Sequence, residues 1–439
     1  MCGCRDADAK LSSVDATTAK PLSSPEETQA LTRLESTTAL KNGRYEVEKV
    51  RLVWDAAAQS GGKALNDNIW SGPDLLNSLF DRLLSFRVGR VAICGYNAEM
   101  FHQFRVRPAD THAQRFLWFD SKSERQEPNV YVMEALTFGI NCAPCIAHFI
   151  RDKNADRFCQ QYPQAAQAMK DYHYVYDFIN SGDNSSQRNP CSSCRNYRNR
   201  KGTRLILDAE LRRIHICKFA RLKGNVLDSD KTPTKRELLQ VLMSMYDPLG
   251  FISCFTIELK ILLQEVWRSG IGWDTGLPDA LLPKWIRWKR ILTTIAGLTI
   301  PRCYFNSSDQ IHDVELHTFV DASELAYAAV CYLRIRLGER TYLRFVASKA
   351  KVAPLSPLSI PRMELQDAVI GAKLSNRIQR NPSLSINSSY YWSDSKTVLK
   401  WLRMDPRKFQ QFVMHRVGEI LEFTNMKTSS YVPEGEQKT

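Results

Sequence analysis

The stretch LHTFVDAS, residues 316–323, places an aspartate at the end of an apolar run with the composition of a β-strand. Two related stretches follow it: IPRMELQDAV, residues 360–369, begins a helix at its proline, and SSYYWSD, residues 388–394, is a second strand that ends on an acid. The pattern over this third of the chain predicts strand, strand, turn, strand, helix, strand, helix. The turn falls at Leu337-Gly338-Glu339. This order predicts one sheet with flanking helices.

Each of the three stretches carries one acid at the end of an element. Asp321 and Asp394 close two strands, and Glu364 lies in the first turn of the helix. Two strand ends and a helix start can meet at one edge of a sheet, where carboxylates would hold paired Mg²⁺ ions for phosphodiester hydrolysis. Acids at element ends are more often caps or solvated termini. The interpretation of these acids as metal ligands therefore depends on their order and on the sequence motifs around them.

Composition and charge narrow the class of protein. The chain has 439 residues with 44% hydrophobic content, which predicts two or three buried cores. Its net charge of +13 suits a polyanionic partner, although other basic proteins share this property. We find no signal-peptide core and no apolar run long enough to cross a bilayer, which predicts an intracellular protein without a membrane partner. The 12 cysteines are then expected to be reduced thiols.

The rest of the chain divides by its patterns. Residues 1–44 are rich in Ser, Thr and charge and are expected to form a disordered or loose tail. Residues 45–205 mix strand-like and helical stretches and end in a polar, basic loop. Residues 206–310 carry three helices, the first opened by a capping box of Thr234 and Glu237. Residues 311–439 hold the predicted sheet.

Several sequence motifs of this chain resemble those of the pol polyprotein of BEL/Pao-type retrotransposons. FVDAS, IPRMELQDAV and WSDSKTVLKWL are similar to the first three active-site segments of its ribonuclease H (RNase H), and RYEV, EMFHQ, LTFGINCAPCIAHF and PTKRELLQVLMSMYDPLGF to earlier polymerase and connection segments. The resemblance implies an α+β chain with three folded parts: a truncated right-hand polymerase palm at 45–205, a helical connection at 206–310 and an RNase H-like domain at 311–439. The implied partners are RNA, DNA and RNA–DNA hybrid. The oligomeric state stays open.

The resemblance also implies a damaged polymerase site. The family has metal-binding aspartates where this chain has Tyr96 and Tyr176, so Asp177 is the one palm carboxylate left of three. A tyrosine phenol, with a pKa of about 10, cannot replace a carboxylate in two-metal catalysis. Much of the fingers segment is also missing. We therefore expect no nucleotide addition.

Other polymerase positions are still occupied. The resemblance assigns Phe101 to the sugar gate and Phe138-Gly139 to the template grip, and it groups Gln103 with them as a nucleotide- or template-binding residue. Without the metal carboxylates, these residues are interpreted first as packing and turn residues.

For the nuclease, the resemblance implies Asp321, Glu364 and Asp394 as Mg²⁺ ligands, with Mn²⁺ as a substitute. It puts the family's fourth aspartate just beyond Thr439. We therefore expect weak Mg²⁺ binding and strongly depressed cleavage of RNA in hybrids, better supported by Mn²⁺. A non-catalytic nucleic-acid-binding relic is the alternative.

Two motifs suggest other functions. Asp274-Thr275-Gly276 matches the triplet of aspartic peptidases, but a turn after a helix is the plainer interpretation. The pairs Cys142/Cys145 and Cys191/Cys194 are much farther apart than the pairs of a zinc ribbon, so buried thiols are preferred over zinc.

Overall fold

The computed structural model describes residues 38–41, 44–47, 55–59, 61–97, 100–118, 128–182, 203–206, 213–215, 231–295, 299–305, 311–424 and 429–431. The strands within these residues are β1 (Thr38–Lys41), β2 (Arg44–Val47), β3 (Val91–Asn97), β4 (Arg115–Trp118), β5 (Asn129–Val132), β6 (His173–Tyr174), β7 (Asp177–Gly182), β8 (Thr203–Ile206), β9 (Arg213–His215), β10 (Thr299–Pro301), β11 (Ile311–Ala322), β12 (Ala326–Leu337), β13 (Arg340–Val352), β14 (Ser388–Ser393) and β15 (Ser429–Tyr431). The α-helices are α1 (Leu79–Phe86), α2 (Ala143–Arg157), α3 (Pro163–Asp171), α4 (Lys235–Ser244), α5 (Ser253–Arg268), α6 (Leu282–Ile295), α7 (Ile360–Gln379), α8 (Lys396–Leu402) and α9 (Gln411–Phe423). The mixed α+β class is confirmed. Among the described residues, no helix combines the length and apolar character needed to cross a bilayer.

The chain divides into two compact units, and the division differs from the predicted boundaries at residues 205 and 310. Unit 1 comprises residues 1–76 and 97–171, and unit 2 comprises residues 77–96 and 172–439. The palm strands β3, β6 and β7 therefore belong to the same unit as the connection and the C-terminal sheet.

Unit 1 contains two small antiparallel pairs, β1 with β2 and β4 with β5, and the helices α2 and α3. Strand β1 lies within the segment that was expected to form a tail, because Thr38 pairs with Val47 across a tight hairpin. The β-branched and aromatic residues of 131–137 predict a strand there, but the observed strand β5 lies earlier, at Asn129–Val132, and pairs with β4.

In unit 2, the palm strands form a four-stranded sheet in the order β6-β7-β3-β8. Strand β3 pairs antiparallel with β7, and a tight hairpin joins β6 to β7. Val175 in this hairpin has a φ of 52°, in the left-handed region that β-branched residues rarely adopt. The hairpin is therefore a strained turn.

The connection helices pack around a tryptophan core. The predicted capping box at the start of α4 is confirmed, because Thr234 and Glu237 each accept from the other's backbone N–H. The helical spacing of Trp285 and Trp288 on α6 predicts that they anchor a core, and the two side chains are only 2% and 1% exposed. The Trp288 indole also donates to the Phe255 carbonyl at 3.1 Å. The helical connection is thus a packed three-helix layer.

The C-terminal sheet has the strand order β13-β12-β11-β14-β15. The strands β13, β12 and β11 are antiparallel, whereas β14 and β15 continue the sheet in parallel with β11. Helix α7 lies against this sheet, where Gly371 approaches Val320 so closely that no Cβ would fit. The predicted turn holds Gly338 at a φ of +57°.

A buried pair of arginines explains why residues 77–96 belong to unit 2. Arg87 donates to the carbonyls of Arg302, Phe345 and Val346 at 3.1, 2.9 and 3.3 Å. Its guanidinium also lies 4.3 Å from the centre of the Tyr304 ring. Arg302 donates in return to backbone carbonyls in the segment 86–90. These contacts join α1 and β3 to the connection and to β13.

Candidate active site

Two of the predicted acids lie just beyond the end of a parallel strand pairing. The last pair of this ladder joins Phe319 on β11 to Trp392 on β14. Asp321 lies two residues further along β11, and Asp394 directly follows the last residue of β14. The tertiary fold therefore brings these two carboxylates to one edge of the sheet.

The third predicted acid reaches the same edge from helix α7. The Glu364 carboxylate accepts from the Ser395 hydroxyl at 2.7 Å. The same hydroxyl accepts from the Val398 N–H at 3.1 Å and so caps helix α8. Since Ser395 follows Asp394 directly, this contact ties the first turns of α7 to the end of β14.

A fourth acid, Asp367, was not predicted from the sequence. It lies one turn beyond Glu364 and is only 1% exposed, and its Oδ1 atom has no hydrogen-bond partner within the described residues. Burial, and then the charges of Asp321, Glu364 and Asp394, raise the pKa of Asp367 to about 9. All three predicted acids are thus close enough to act on one buried carboxyl. The i, i+3 spacing of Glu364 and Asp367 was the available sequence signal.

In the part of the chain that the structure describes, the acids converge on one edge without forming a complete metal site. Among the described residues, no three His, Cys, Asp or Glu side chains lie close enough together to hold a metal ion. The donor set itself, carboxylate oxygens with one buried oxygen unpartnered, is of the hard kind that Mg²⁺ prefers. The structure therefore shows that the acids meet at one edge of the sheet, and the bound Mg²⁺ ion remains a prediction.

Replacing Asp367 by Asn is expected to change how stability depends on pH. The pKa of this group is raised on folding, so its stabilising contribution is fully present below the unfolded pKa of about 4 and is lost as pH rises towards about 9. The wild-type chain should lose up to about 1.4 kcal/mol of unfolding free energy per pH unit from this group. Asn stays neutral, so Asp367→Asn should remove that slope. Urea unfolding between pH 5 and pH 9 in EDTA measures it, with the exposed Asp279→Asn as control. Equal slopes in the two variants would contradict the assignment.

The residues that the resemblance assigns to a damaged polymerase site lie at the hairpin of β6 and β7 and on the neighbouring strand β3. Tyr96 on β3 is paired directly with Asp177 on β7. Tyr176 occupies the tip of the hairpin, with its side chain 39% exposed. Burial raises the pKa of Asp177 above its usual range. Tyrosines therefore stand opposite Asp177 on β3 and directly before it in the chain, in the two positions where the resemblance implies further ligands.

The predicted nucleotide- and template-binding residues belong to unit 1. Phe101 is buried, and its ring packs edge-on against Phe138 at 4.7 Å. Gly139 has a φ of +94°, and its carbonyl accepts from Asn66 at 3.1 Å. Gln103 is exposed. Phe101 and Gly139 thus have the packing and turn roles that their interpretation requires.

The described residues of the motifs that suggested a peptidase or a zinc site lie in a surface turn and at the start of a helix. Asp274 is on a turn between α5 and α6, with its side chain 73% exposed, and Arg236 binds its carboxylate at 2.7 and 3.0 Å. Cys142 is buried at the start of α2, with Cys145 in its first turn. Cys191, Cys194 and the basic loop around them lie outside the described residues, so the zinc pairing stays a question of sequence spacing.

The C-terminal part of the chain matches a known family. Residues 234–395 match the Pao retrotransposon-like RNaseH-like domain. The matched range runs from the cap of α4 to the cap of α8 and includes Asp321, Glu364, Asp367 and Asp394. No curated protein sequence matches the chain.

Solved structures of a foamy viral protease-reverse transcriptase have a similar fold. The form called dRH, in complex with double-stranded DNA, superposes with a TM-score of 0.52 at 12% identity, over 91% of this chain and 64% of that one. A second complex with double-stranded DNA gives 0.55 at 12% identity, over 92% and 77%. A complex with RNA/DNA hybrid gives 0.52 at 13% identity, over 85% and 48%. This chain thus spans between 48% and 77% of the length of those proteins, and the likeness concerns the fold.

Proposed function

We propose that this chain, whose residues 234–395 match the Pao retrotransposon-like RNaseH-like domain, derives from a retrotransposon polyprotein and hydrolyses the RNA strand of RNA–DNA hybrids. The observation that supports this proposal is the convergence of Asp321, Glu364 and Asp394 around buried Asp367 at one sheet edge. The negative charge at this edge could hold metal ions next to a bound phosphodiester.

In this proposal Asp321, Glu364 and Asp394 hold Mg²⁺. The bound ion supplies positive charge that activates water and offsets charge on the leaving oxygen. The chain's own residues fix the geometry. Strand β11 carries Asp321, Asp394 directly follows β14, and the Ser395 hydroxyl holds Glu364 against the start of α8. Asp367 lies behind them, where burial keeps its carboxyl out of solvent.

The proposed partner is a nucleic acid. Related folds have been solved with double-stranded DNA and with RNA/DNA hybrid, and this chain carries a net charge of +13. A basic protein of this fold is expected to bind phosphates with a strong dependence on salt.

The nuclease is tested with a labelled RNA–DNA hybrid in Mg²⁺ and, separately, in Mn²⁺. We expect weak cleavage that is stronger in Mn²⁺. Asp321→Asn should lower it by more than ~100-fold, since even changes behind the ligands cost about 10- to 100-fold. Asp279→Asn, an exposed acid outside the site, should leave cleavage unchanged. A Mg²⁺ titration of the melting temperature gives a second measurement, in which Asp321→Asn should abolish the stabilisation.

The results separate the two candidate functions. Cleavage that survives Asp321→Asn would contradict the assigned site. Tight binding of hybrid by the wild-type chain without cleavage in either ion would favour the non-catalytic nucleic-acid-binding alternative.

We also propose that the chain does not extend primers. Tyrosines occupy positions 96 and 176, where the resemblance implies metal-binding aspartates, and the one remaining carboxylate, Asp177, cannot hold two ions. A primer-extension assay on RNA and DNA templates should give no incorporation, and the double change Tyr96→Asp and Tyr176→Asp should not restore wild-type-like activity. Template-dependent incorporation by the unaltered chain, abolished by Asp177→Asn, would overturn this proposal.

A further inference from the structure

A groove of about 1080 Å³ lies within unit 2 on the side of α7 away from the carboxylate edge. Lys373, on its wall, is nine residues from Glu364, which is two and a half helical turns at about 3.6 residues per turn. The two side chains therefore point to opposite sides of the helix. The groove is bordered by β13, α7, α9 and the segment that joins α4 to α5.

The groove is strongly basic. Its lining includes six Lys and Arg side chains but only two acids, Asp247 and Glu419. Both acids are already engaged. The Asp247 carboxylate accepts from the backbone N–H groups of Phe251 and Ile252 at 2.8 Å each, and Glu419 pairs with Lys373 at 2.5 Å. Arg377 pairs with Asp81, outside the groove, at 3.3 Å. The positive charge that is left uncompensated is therefore mainly that of Lys349 and Lys351.

The cations form two short rows. Lys349 and Lys351 lie on one face of edge strand β13, and Lys373 and Arg377 lie one turn apart on α7. In each row the spacing is about 6 to 7 Å, from the rise per residue of a strand or a helix. Within the described part of the chain, neither Lys349 nor Lys351 has an ion-pair partner.

We propose that this groove binds the phosphodiester backbone of a nucleic acid, with Lys349 and Lys351 contacting successive phosphates. The proposal rests on the proposed function only for its choice of polyanion. The site is separate from the carboxylate edge, and its test does not use cleavage.

A protective role for edge-strand lysines is the simpler alternative, because such lysines discourage pairing with another chain. Lysines in that role need no other cations beside them, whereas the exposed Lys349 and Lys351 line the same groove as Lys373 and Arg377. Partial burial, followed by the charges of Lys351, Arg377 and Lys373, lowers the pKa of Lys349. Converging cations repel one another, and a bound polyanion would offset that cost.

The test measures binding of a short labelled DNA duplex by fluorescence anisotropy in EDTA over a range of salt concentrations. The double variant Lys349→Gln with Lys351→Gln should make the plot of log affinity against log salt shallower by about 1.8, because each phosphate that a lysine neutralises adds about 0.9 to the slope. The matched control is Lys231→Gln with Lys408→Gln, two exposed lysines outside the groove. It should change the slope by less than half as much. Lys349→Arg with Lys351→Arg should keep the wild-type slope.

A second measurement uses the unaltered chain. Bound duplex should protect Lys349 and Lys351 from acetylation more than Lys231 and Lys408, as read by mass spectrometry. An equal decrease of slope in both double variants, or equal protection of all four lysines, would overturn the proposal. So would polyglutamate binding that needs the groove lysines while duplex binding does not, since the partner would then be an acidic peptide. Loss of cleavage alone would concern the carboxylate edge and leave this proposal intact.

Discussion

Arg87→Ala is expected to lower the unfolding free energy of unit 2 by about 3 kcal/mol or more, because each buried carbonyl left without a donor costs about 1–3 kcal/mol. Three carbonyls, of Arg302, Phe345 and Val346, would lose their donor, and Arg87 is only 1% exposed. Part of this cost is offset because the buried charge is removed with the side chain. Denaturant unfolding followed by far-UV circular dichroism measures the change.

Two further variants show what causes the Arg87 effect. Arg87→Met keeps most of the volume without the donors, so it separates the missing hydrogen bonds from an empty cavity. Arg90→Ala removes an exposed arginine three residues away and should change stability by less than about 0.5 kcal/mol. If Arg87→Ala and Arg90→Ala are equally stable, the buried arginine does not hold residues 77–96 to unit 2.

Gly250→Ala is the second change with a large expected effect. Gly250 has a φ of +75°, and a Cβ there would overlap the backbone carbonyl of Ser348 on β13. The Ser348 N–H donates to the Leu249 carbonyl at 2.9 Å, and its hydroxyl donates to the Gly250 carbonyl at 2.5 Å. Positive φ costs about 1 kcal/mol and forced overpacking about 1–3 kcal/mol more, so a total of about 3 kcal/mol is expected.

Gly270→Ala provides the matched control, because Gly270 has a φ of +70° with no atom within 4 Å of an added Cβ. It should cost about 1 kcal/mol, the contribution of φ alone. The difference between the two variants therefore isolates the contact between the connection and the C-terminal sheet. Equal costs at both positions would mean that β13 moves away freely and that this contact contributes little to stability.

The two large effects concern the same part of the molecule. Arg87 bonds to carbonyls at Phe345 and Val346, and Gly250 lies against Ser348, so both contacts hold the middle of β13. Lys349 and Lys351, which line the proposed groove, come directly after this stretch on the same strand. Variants that loosen this stretch are therefore expected to weaken duplex binding as well as stability.

Local patterns in the sequence were sufficient for elements whose signals lie within a few residues. The capping box of Thr234 and Glu237, the burial of Trp285 and Trp288, and the turn at Gly338 each depend on neighbours along the chain. The order of the acid-bearing motifs, with the resemblance they carry, also indicated a retrotransposon RNase H-like region, which the family match over residues 234–395 confirms.

Long-range contacts decided the rest. The parallel pairing of β11 with β14 brings the ends of these strands, and with them Asp321 and Asp394, to the same edge, and sequence spacing cannot specify which residues of two distant strands pair. From its local sequence, Asp367 is one more polar residue of a helix. Its burial near three other acids arises only when α7 packs on the sheet. Arg87 reads as a surface cation, yet carbonyls more than two hundred residues away enclose it. The sequence by itself determined the elements and the chemistry they carry, whereas the tertiary structure decided which of those groups meet, because burial and charge depend on neighbours that are remote along the chain.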